Sequence, residues 1–230
     1  LISLAKYYQA GQSDKTEKLA LSMIKKFPKY QFAWKVLGAV LRQTGRGNEA
    51  LAANKKSVEL SPKDFEAHNN LGITFKELGR LGEAEVSLKK TIALKSDFHE
   101  AHNNLGIILG TMNRFEEAEL SCRHAVALKP DYAEGHNSLG IMLKELKKFD
   151  EAEVSFRNAI SLKPDYAEAY NNLGITIAEL GRLDEAEINC RKALSLEPDY
   201  AEAHSNLGII LYGYGDVDSA INSIKKAIYI

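Results

Sequence analysis

In residues 133–166, AEGHNSLGIMLKELKKFDEAEVSFRNAISLKPDY, the positions His136, Leu139, Gly140 and Leu143 recur at i, i+3, i+4 and i+7. That spacing lines one face of a helix. A second run, Phe149, Ala152, Phe156, Ala159 and Ile160, repeats the pattern. Lys147-Lys148 separates the two runs, and the corresponding places elsewhere hold Gly45, Gly79, Gly181 and Gly215, residues that end helices. Pro164 closes the segment, because proline cannot continue a helix interior. The pattern predicts two antiparallel helices in this one segment.

The unit recurs along the chain. Glycine returns with a 34-residue period at Gly38, Gly72, Gly106, Gly140, Gly174 and Gly208. Alanine follows each glycine at a constant distance, at Ala50, Ala84, Ala118, Ala152, Ala186 and Ala220. An internal period of this length predicts an all-α solenoid of stacked helix pairs. A residue with no side chain in the first helix, facing alanine in the second, would let the two backbones approach closely. The starts of four first helices carry an acidic pair three residues apart: Asp97 and Glu100, Asp131 and Glu134, Asp165 and Glu168, Asp199 and Glu202. These pairs predict acidic capping boxes.

The residues Trp34-Leu37-Gly38-Leu41-Ala50 and Tyr170-Leu173-Gly174-Ile177-Ala186-Ala193-Pro198 resemble the tetratricopeptide repeat pattern. The resemblance spans essentially the whole chain as a single solenoid, residues 1–230. Full repeats are expected at 31–64, 65–98, 99–132, 133–166 and 167–200, with incomplete copies at 1–30 and 201–230. The first copy departs most, with Leu4 and Thr16 in the glycine and alanine slots, and Ser96 replaces one closing proline. The resemblance implies a right-handed superhelix whose first helices line a concave groove that holds extended peptides or partner helices. The regularity of HNNLGI…LGRLDEAE is also similar to bacterial tetratricopeptide proteins and to the superhelical arm of O-linked N-acetylglucosamine transferases.

Composition narrows the function classes. Apolar residues at 45% and charged residues at 27% fit a folded chain, and no apolar run is long enough to span a bilayer. The net charge of −1 is uneven: residues 1–60 hold 11 Lys/Arg against 4 Asp/Glu, and the remainder holds 19 against 27. Such polarity favours either an acidic partner at the N-terminal end or head-to-tail self-association, unless it is drift among solvated charges. Cys122 and Cys190 share one repeat position two repeats apart, too far for a disulfide, and read as buried small hydrophobes in a reducing, cytoplasmic compartment. Leu1 in place of methionine and an end in mid-repeat read as a piece of a longer protein. Incomplete terminal repeats would leave apolar faces open to self-association.

The candidate site is a second stripe on the first helix, beside its core face. Its members are Asn69, Asn70 and Ile73, with Glu66 and Glu77 alongside; Asn103, Asn104 and Ile107; Asn137, Ser138 and Ile141; Asn171, Asn172 and Ile175; and Ser205, Asn206 and Ile209. An asparagine both donates and accepts, so a ladder of them can grip a peptide backbone whatever its side chains. By resemblance to the transferase arm, Asn70, Asn104, Asn172 and Asn206 fall in the groove, with Ser138 as a break. The competing role is bonding between neighbouring repeats, and the two are compatible. A carboxylate clamp is disfavoured, because Glu100, Glu134, Glu168 and Glu202 occupy its basic slots. His68, His102, His136 and His204 share the slot of Trp34 and Tyr170 and read as packing groups, each on a separate repeat and too distant to share a metal. No nucleophile elbow, phosphate loop or carboxylate pair is present, so no catalytic, cofactor or metal residue is expected and the chain reads as non-enzymatic. A strongly basic stripe for nucleic acid is also missing. The leading expectation is a protein-interaction scaffold. The alternative is the substrate-recruiting arm of a glycosyltransferase- or sulfotransferase-type enzyme whose catalytic domain lies outside these residues.

Overall fold

The computed structural model describes residues 2–230; Leu1, the first residue of the leading incomplete copy, lies outside the described residues. Fourteen α-helices and no strand occur among the described residues. The first helices of successive pairs are α1 (Ile2–Gln9), α3 (Gln31–Gln43), α5 (Phe65–Glu77), α7 (His99–Thr111), α9 (Ala133–Glu145), α11 (Ala167–Glu179) and α13 (Ala201–Gly213). The second helices are α2 (Ser13–Lys26), α4 (Gly47–Leu60), α6 (Leu81–Leu94), α8 (Phe115–Leu128), α10 (Phe149–Leu162), α12 (Leu183–Leu196) and α14 (Val217–Tyr229). The chain is an all-α solenoid, and its helices form two compact units, one ending at Met112 and the other running from Asn113 to Ile230.

In the first unit α3 packs on α4 and α5 on α6, while α2, α4 and α6 pack on the first helix that follows each of them. First helices also touch along one face, α1 with α3, α3 with α5, and α5 with α7. The second unit repeats this plan with the pairs α9–α10, α11–α12 and α13–α14, and with α9, α11 and α13 sharing a face. The core of each unit is the stripe read from the sequence. Val36, Leu37, Val40 and Leu41 are buried in the first unit, and Leu139, Leu143, Phe156, Leu173 and Ile177 in the second. Fully burying a side chain of this size contributes about 1.5–3 kcal/mol.

The recurring glycine marks a close approach, with a detail the period alone did not carry. A Cβ on Gly140 would lie 2.6–2.8 Å from ring carbons of Phe156, and one on Gly174 would lie 2.6 Å from Cys190 Sγ. The facing side chain thus stands one helical turn past the alanine. The alanine contributes its backbone: the Ala186 carbonyl oxygen is 3.1 Å from the same Gly174 position.

The turn inside each pair needs left-handed backbone, which glycine adopts without a Cβ penalty. Gly45, Gly79, Gly181 and Gly215 take φ between 71° and 83°, and the same slot holds Asn113 and Lys147, both at φ 58°. The expected capping boxes do not form. Phe98, Tyr132, Tyr166 and Tyr200 occupy the N-cap positions, none with a side-chain cap bond, so Asp97, Asp131, Asp165 and Asp199 stand one residue outside. Their glutamate partners fall in the first turn, where a negative charge meets the positive end of the helix dipole. Asp64 and Asp216 do cap, accepting from the backbone N–H of Ala67 (3.1 Å) and Ser219 (3.2 Å).

The histidine slot fastens the turn between pairs. Trp34 Nε1 donates to the Pro28 carbonyl at 2.8 Å, and the Nε2 atoms of His68, His136 and His204 lie 2.9–3.0 Å from the carbonyls of Pro62, Pro130 and Pro198. His102 meets the Ser96 carbonyl in the same way at 2.9 Å. Indole nitrogen only donates, so the shared geometry assigns the proton of each imidazole to Nε2.

Candidate site on the first-helix face

The stripe divides into two rows with different surroundings. In the inner row, Asn69, Asn103, Asn137 and Asn171 are at most 8% exposed. In the outer row, Asn70, Asn104 and Asn206 are partly exposed, whereas Ser138 and Asn172 are buried. Ile73, Ile107, Ile141 and Ile175 are partly exposed beside them, and Ile209 is open to solvent.

In the second unit the inner row is a connector between pairs. Asn137 Nδ2 donates to Glu168 Oε1 at 3.0 Å, and Asn171 Nδ2 to Glu202 Oε1 at 3.2 Å. The outer row answers in the opposite direction: Asn172 Nδ2 donates to Asn137 Oδ1 at 3.2 Å and Asn206 Nδ2 to Asn171 Oδ1 at 2.9 Å. The role of bonding neighbouring repeats is therefore occupied in this unit. Tyr200 borders the ladder, and burial, followed by the charges of Glu202 and Glu168, pushes its hydroxyl up to about 12. An amide offers two donors and two lone pairs, so one such bond leaves Asn206 with capacity for a ligand.

The first unit departs from this plan: Asn69 Oδ1 receives no donor, and one position of the inner row is not asparagine. Lys35 stands in the register of Asn69, Asn103, Asn137 and Asn171, and its Nζ binds Glu66 at 2.5 Å and Asp64 at 3.0 Å. Gln31 Nε2 adds a bond to Asp64 at 2.8 Å. Burial opposes the Lys35 charge, but the two carboxylates outweigh it and hold the ammonium above its ordinary range. Lysine accepts nothing, so Asn70 has no counterpart of the Asn172–Asn137 bond. The sequence reading missed Lys35; the signal was a cation in an asparagine register.

Opposite the stripe, the second helices of the second unit carry an ion-pair ladder that the sequence reading also missed. Glu119 meets Arg123 and Lys148, each at 2.8 Å, and Glu153 meets Arg157 at 2.8 Å and Arg182 at 2.7 Å. Arg157 and Arg182 both continue to Glu185. Burial would raise the carboxyls of Glu119 and Glu153, but the flanking cations outweigh it and hold both below the usual range. The two cysteines are free and buried, and burial pushes both thiols up to about 12. Among the described residues, no helix is long and apolar enough to cross a membrane.

Three family models match the chain. One described as a tetratricopeptide repeat matches residues 165–230, another so described matches 65–98 and 99–132, and one described as a TPR repeat matches 38–79 and 142–181. No curated protein sequence matches. Among solved structures, a chain of the APC/C hetero-tetramer Cut9–Hcn1 is similar, with a TM-score of 0.86 at 20% identity, over 98% of this chain and 45% of that one. This chain thus spans less than half of that protein's length. MamA is 30% identical with a TM-score of 0.63, over 72% of this chain and 97% of that one. YrrB, described as a TPR protein with an unusual peptide-binding site, is 22% identical with a TM-score of 0.62, over 80% of this chain and 95% of that one.

Proposed function

This chain belongs to the tetratricopeptide repeat family, and from that premise we propose that it is a protein-interaction scaffold whose first-helix face holds an extended peptide or a partner helix. The observation that carries the reading is the outer row itself. Asn70 and Asn104 in the first unit, and Asn206 in the second, are partly exposed amides at one repeat position, each three residues before an apolar Ile73, Ile107 or Ile209. Such a row offers backbone hydrogen bonds with apolar contact between them, the combination an extended peptide requires. The chain then acts by binding, without chemistry of its own, and free buried thiols fit a reducing, cytoplasmic setting.

The test replaces Asn70, Asn104 and Asn206 with alanine together and measures the Kd of a peptide selected from a display library. A net contribution of about 0.5–1.5 kcal/mol per hydrogen bond predicts a weakening of roughly ten- to a thousandfold. An unchanged Kd in a variant that melts like the parent refutes the ladder. Asn172 is left out because it is buried and bonded to Asn137.

Self-association is a second part of this reading, supported by α14. Val217, Ile221, Ile224 and Ile228 are 40–73% exposed along this helix. Ile221→Glu with Ile228→Glu lowers any concentration-dependent mass seen by light scattering; a mass equal to one chain for the parent at every concentration removes the idea.

A further inference from the structure

A pocket of about 490 Å³ opens on the first-helix face of the first unit, and its walls include Phe32, Lys35, Glu66, Asn69, Asn70 and Phe98. It forms where Lys35 interrupts the asparagine ladder. In the second unit each outer asparagine donates to the inner asparagine of the preceding repeat. For Asn70 that earlier residue is Lys35, which offers no acceptor, and among the described residues the Asn70 side chain makes no hydrogen bond. Asn69 is 8% exposed, and its Oδ1 has no donor, whereas its counterparts Asn137 and Asn171 receive one each. Two amides of the pocket thus lack bonds that the same positions make elsewhere in this chain.

The charges select the ligand. The Lys35 ammonium is held between Asp64 and Glu66, and its Nζ lies 5.9 Å from the centre of the Phe32 ring. Lys95, which lies over Phe65 and Phe98, is not among the lining residues. An incoming anion would face the half-exposed carboxylate of Glu66, with the only lining cation already paired. Acceptors beside aromatic rings suit a cation, and a planar guanidinium with five donors in a fork suits a carboxylate next to an amide oxygen. The volume lies inside the range of about 300–1,000 Å³ of ligand-sized sites.

We propose that this pocket receives an arginine side chain of the peptide partner. The guanidinium forks onto Glu66, the Asn70 oxygen takes a further N–H, and the aliphatic stem lies against Val36 and Phe32. This rests on the scaffold reading and adds to it a preference for a basic partner at one place on the face.

The test uses N-acetyl-arginine methylamide as a probe in ¹H–¹⁵N titrations of the whole chain, with the glutamine and glutamate analogues in parallel. The arginine probe is expected to shift the side-chain amides of Asn69 and Asn70 with a Kd at least fivefold lower than that of the glutamine probe, and the glutamate probe to leave them unmoved. Glu66→Gln, nearly isosteric at a half-exposed position, should abolish the difference. If that variant melts early, Asn70→Ala carries the same comparison, since its side chain makes no bond in the free protein. Equal responses to the arginine and glutamine probes, or an unchanged preference in both variants, overturn the proposal. The broader scaffold reading would survive that outcome, because its own test reads a long peptide against Asn70, Asn104 and Asn206 together.

Discussion

Lys147 sits in left-handed backbone at φ 58°, in the turn slot where Gly45, Gly79, Gly181 and Gly215 sit. Its side chain is exposed, so replacing it removes no packing. For a residue with a Cβ this region costs about 1–2 kcal/mol. Glycine loses about 0.5–1 kcal/mol more than other residues in chain entropy. Lys147→Gly is therefore expected to stabilise by roughly 0.5–1 kcal/mol, the difference between the two. For a chain of this size that is a rise of about 1–4 °C in Tm. The assay is urea denaturation followed by circular dichroism, with midpoints compared at equal slope because stacked repeats are not guaranteed to unfold in two states. The mirror variant Gly181→Lys should lose a similar amount, since nothing lies within 4 Å of the Gly181 Cβ position and only the backbone penalty enters. Asn113→Gly should gain less, because asparagine tolerates the left-handed region. A Lys147→Gly midpoint equal to or below the parent, or a neutral Gly181→Lys, refutes the reasoning.

Gly140→Leu should cost about 1–3 kcal/mol or more, because its Cβ alone would lie 2.6 Å from the buried Phe156 ring; an unchanged thermal melt would sink the close-approach model. Phe156→Ala in the same chain should restore part of that loss, which a double-mutant cycle reads as non-additivity. Glu119 and Glu153 have folded pKa values below their unfolded ones, so their stabilisation is complete above the ordinary glutamate value of about 4.3 and disappears as pH falls through the folded values. The urea midpoint should therefore drop below about pH 5, and Glu153→Gln should flatten that drop; an identical profile refutes the ladder's role. His136→Phe removes the contact to the Pro130 carbonyl and should cost about 0.5–1.5 kcal/mol, while His136→Trp should retain it as Trp34 does at Pro28; equal losses for both would rule out an N–H donor there.

The repeat period made helix positions, core faces and the glycine slot legible in the sequence, because each depends on one repeat folding on itself. It could not show which residues touch between repeats, because those contacts do not fall at the period. Asn172 to Asn137 and Asn206 to Asn171 span 35 positions, and Asn137 to Glu168 and Asn171 to Glu202 span 31. On the second helices, Lys148 to Glu119 and Arg182 to Glu153 span 29, and Arg123 to Glu151 and Arg157 to Glu185 span 28. These offsets come from how far one helix pair slides against the next, a quantity absent from any single repeat. The caps failed for a related reason: Asp131 and Glu134 have the right spacing, but the helix begins at Ala133, after Tyr132.

Once the offsets are known, the departure at Lys35 becomes readable. Lysine at this position keeps the forward contact to Glu66, with an ammonium in place of an amide. It cannot keep the contact to Asn70, which needs an acceptor there. One substitution thus retains the joint between two repeats and releases an outer amide to the surface. An acceptor is necessary there but not sufficient, since Asn69 offers one to Asn104 and its Oδ1 still has no donor. Lys35→Asn restores the acceptor opposite Asn70, so any bond it draws from the Asn70 amide should narrow the gap between the arginine and glutamine probes while the stack stays intact.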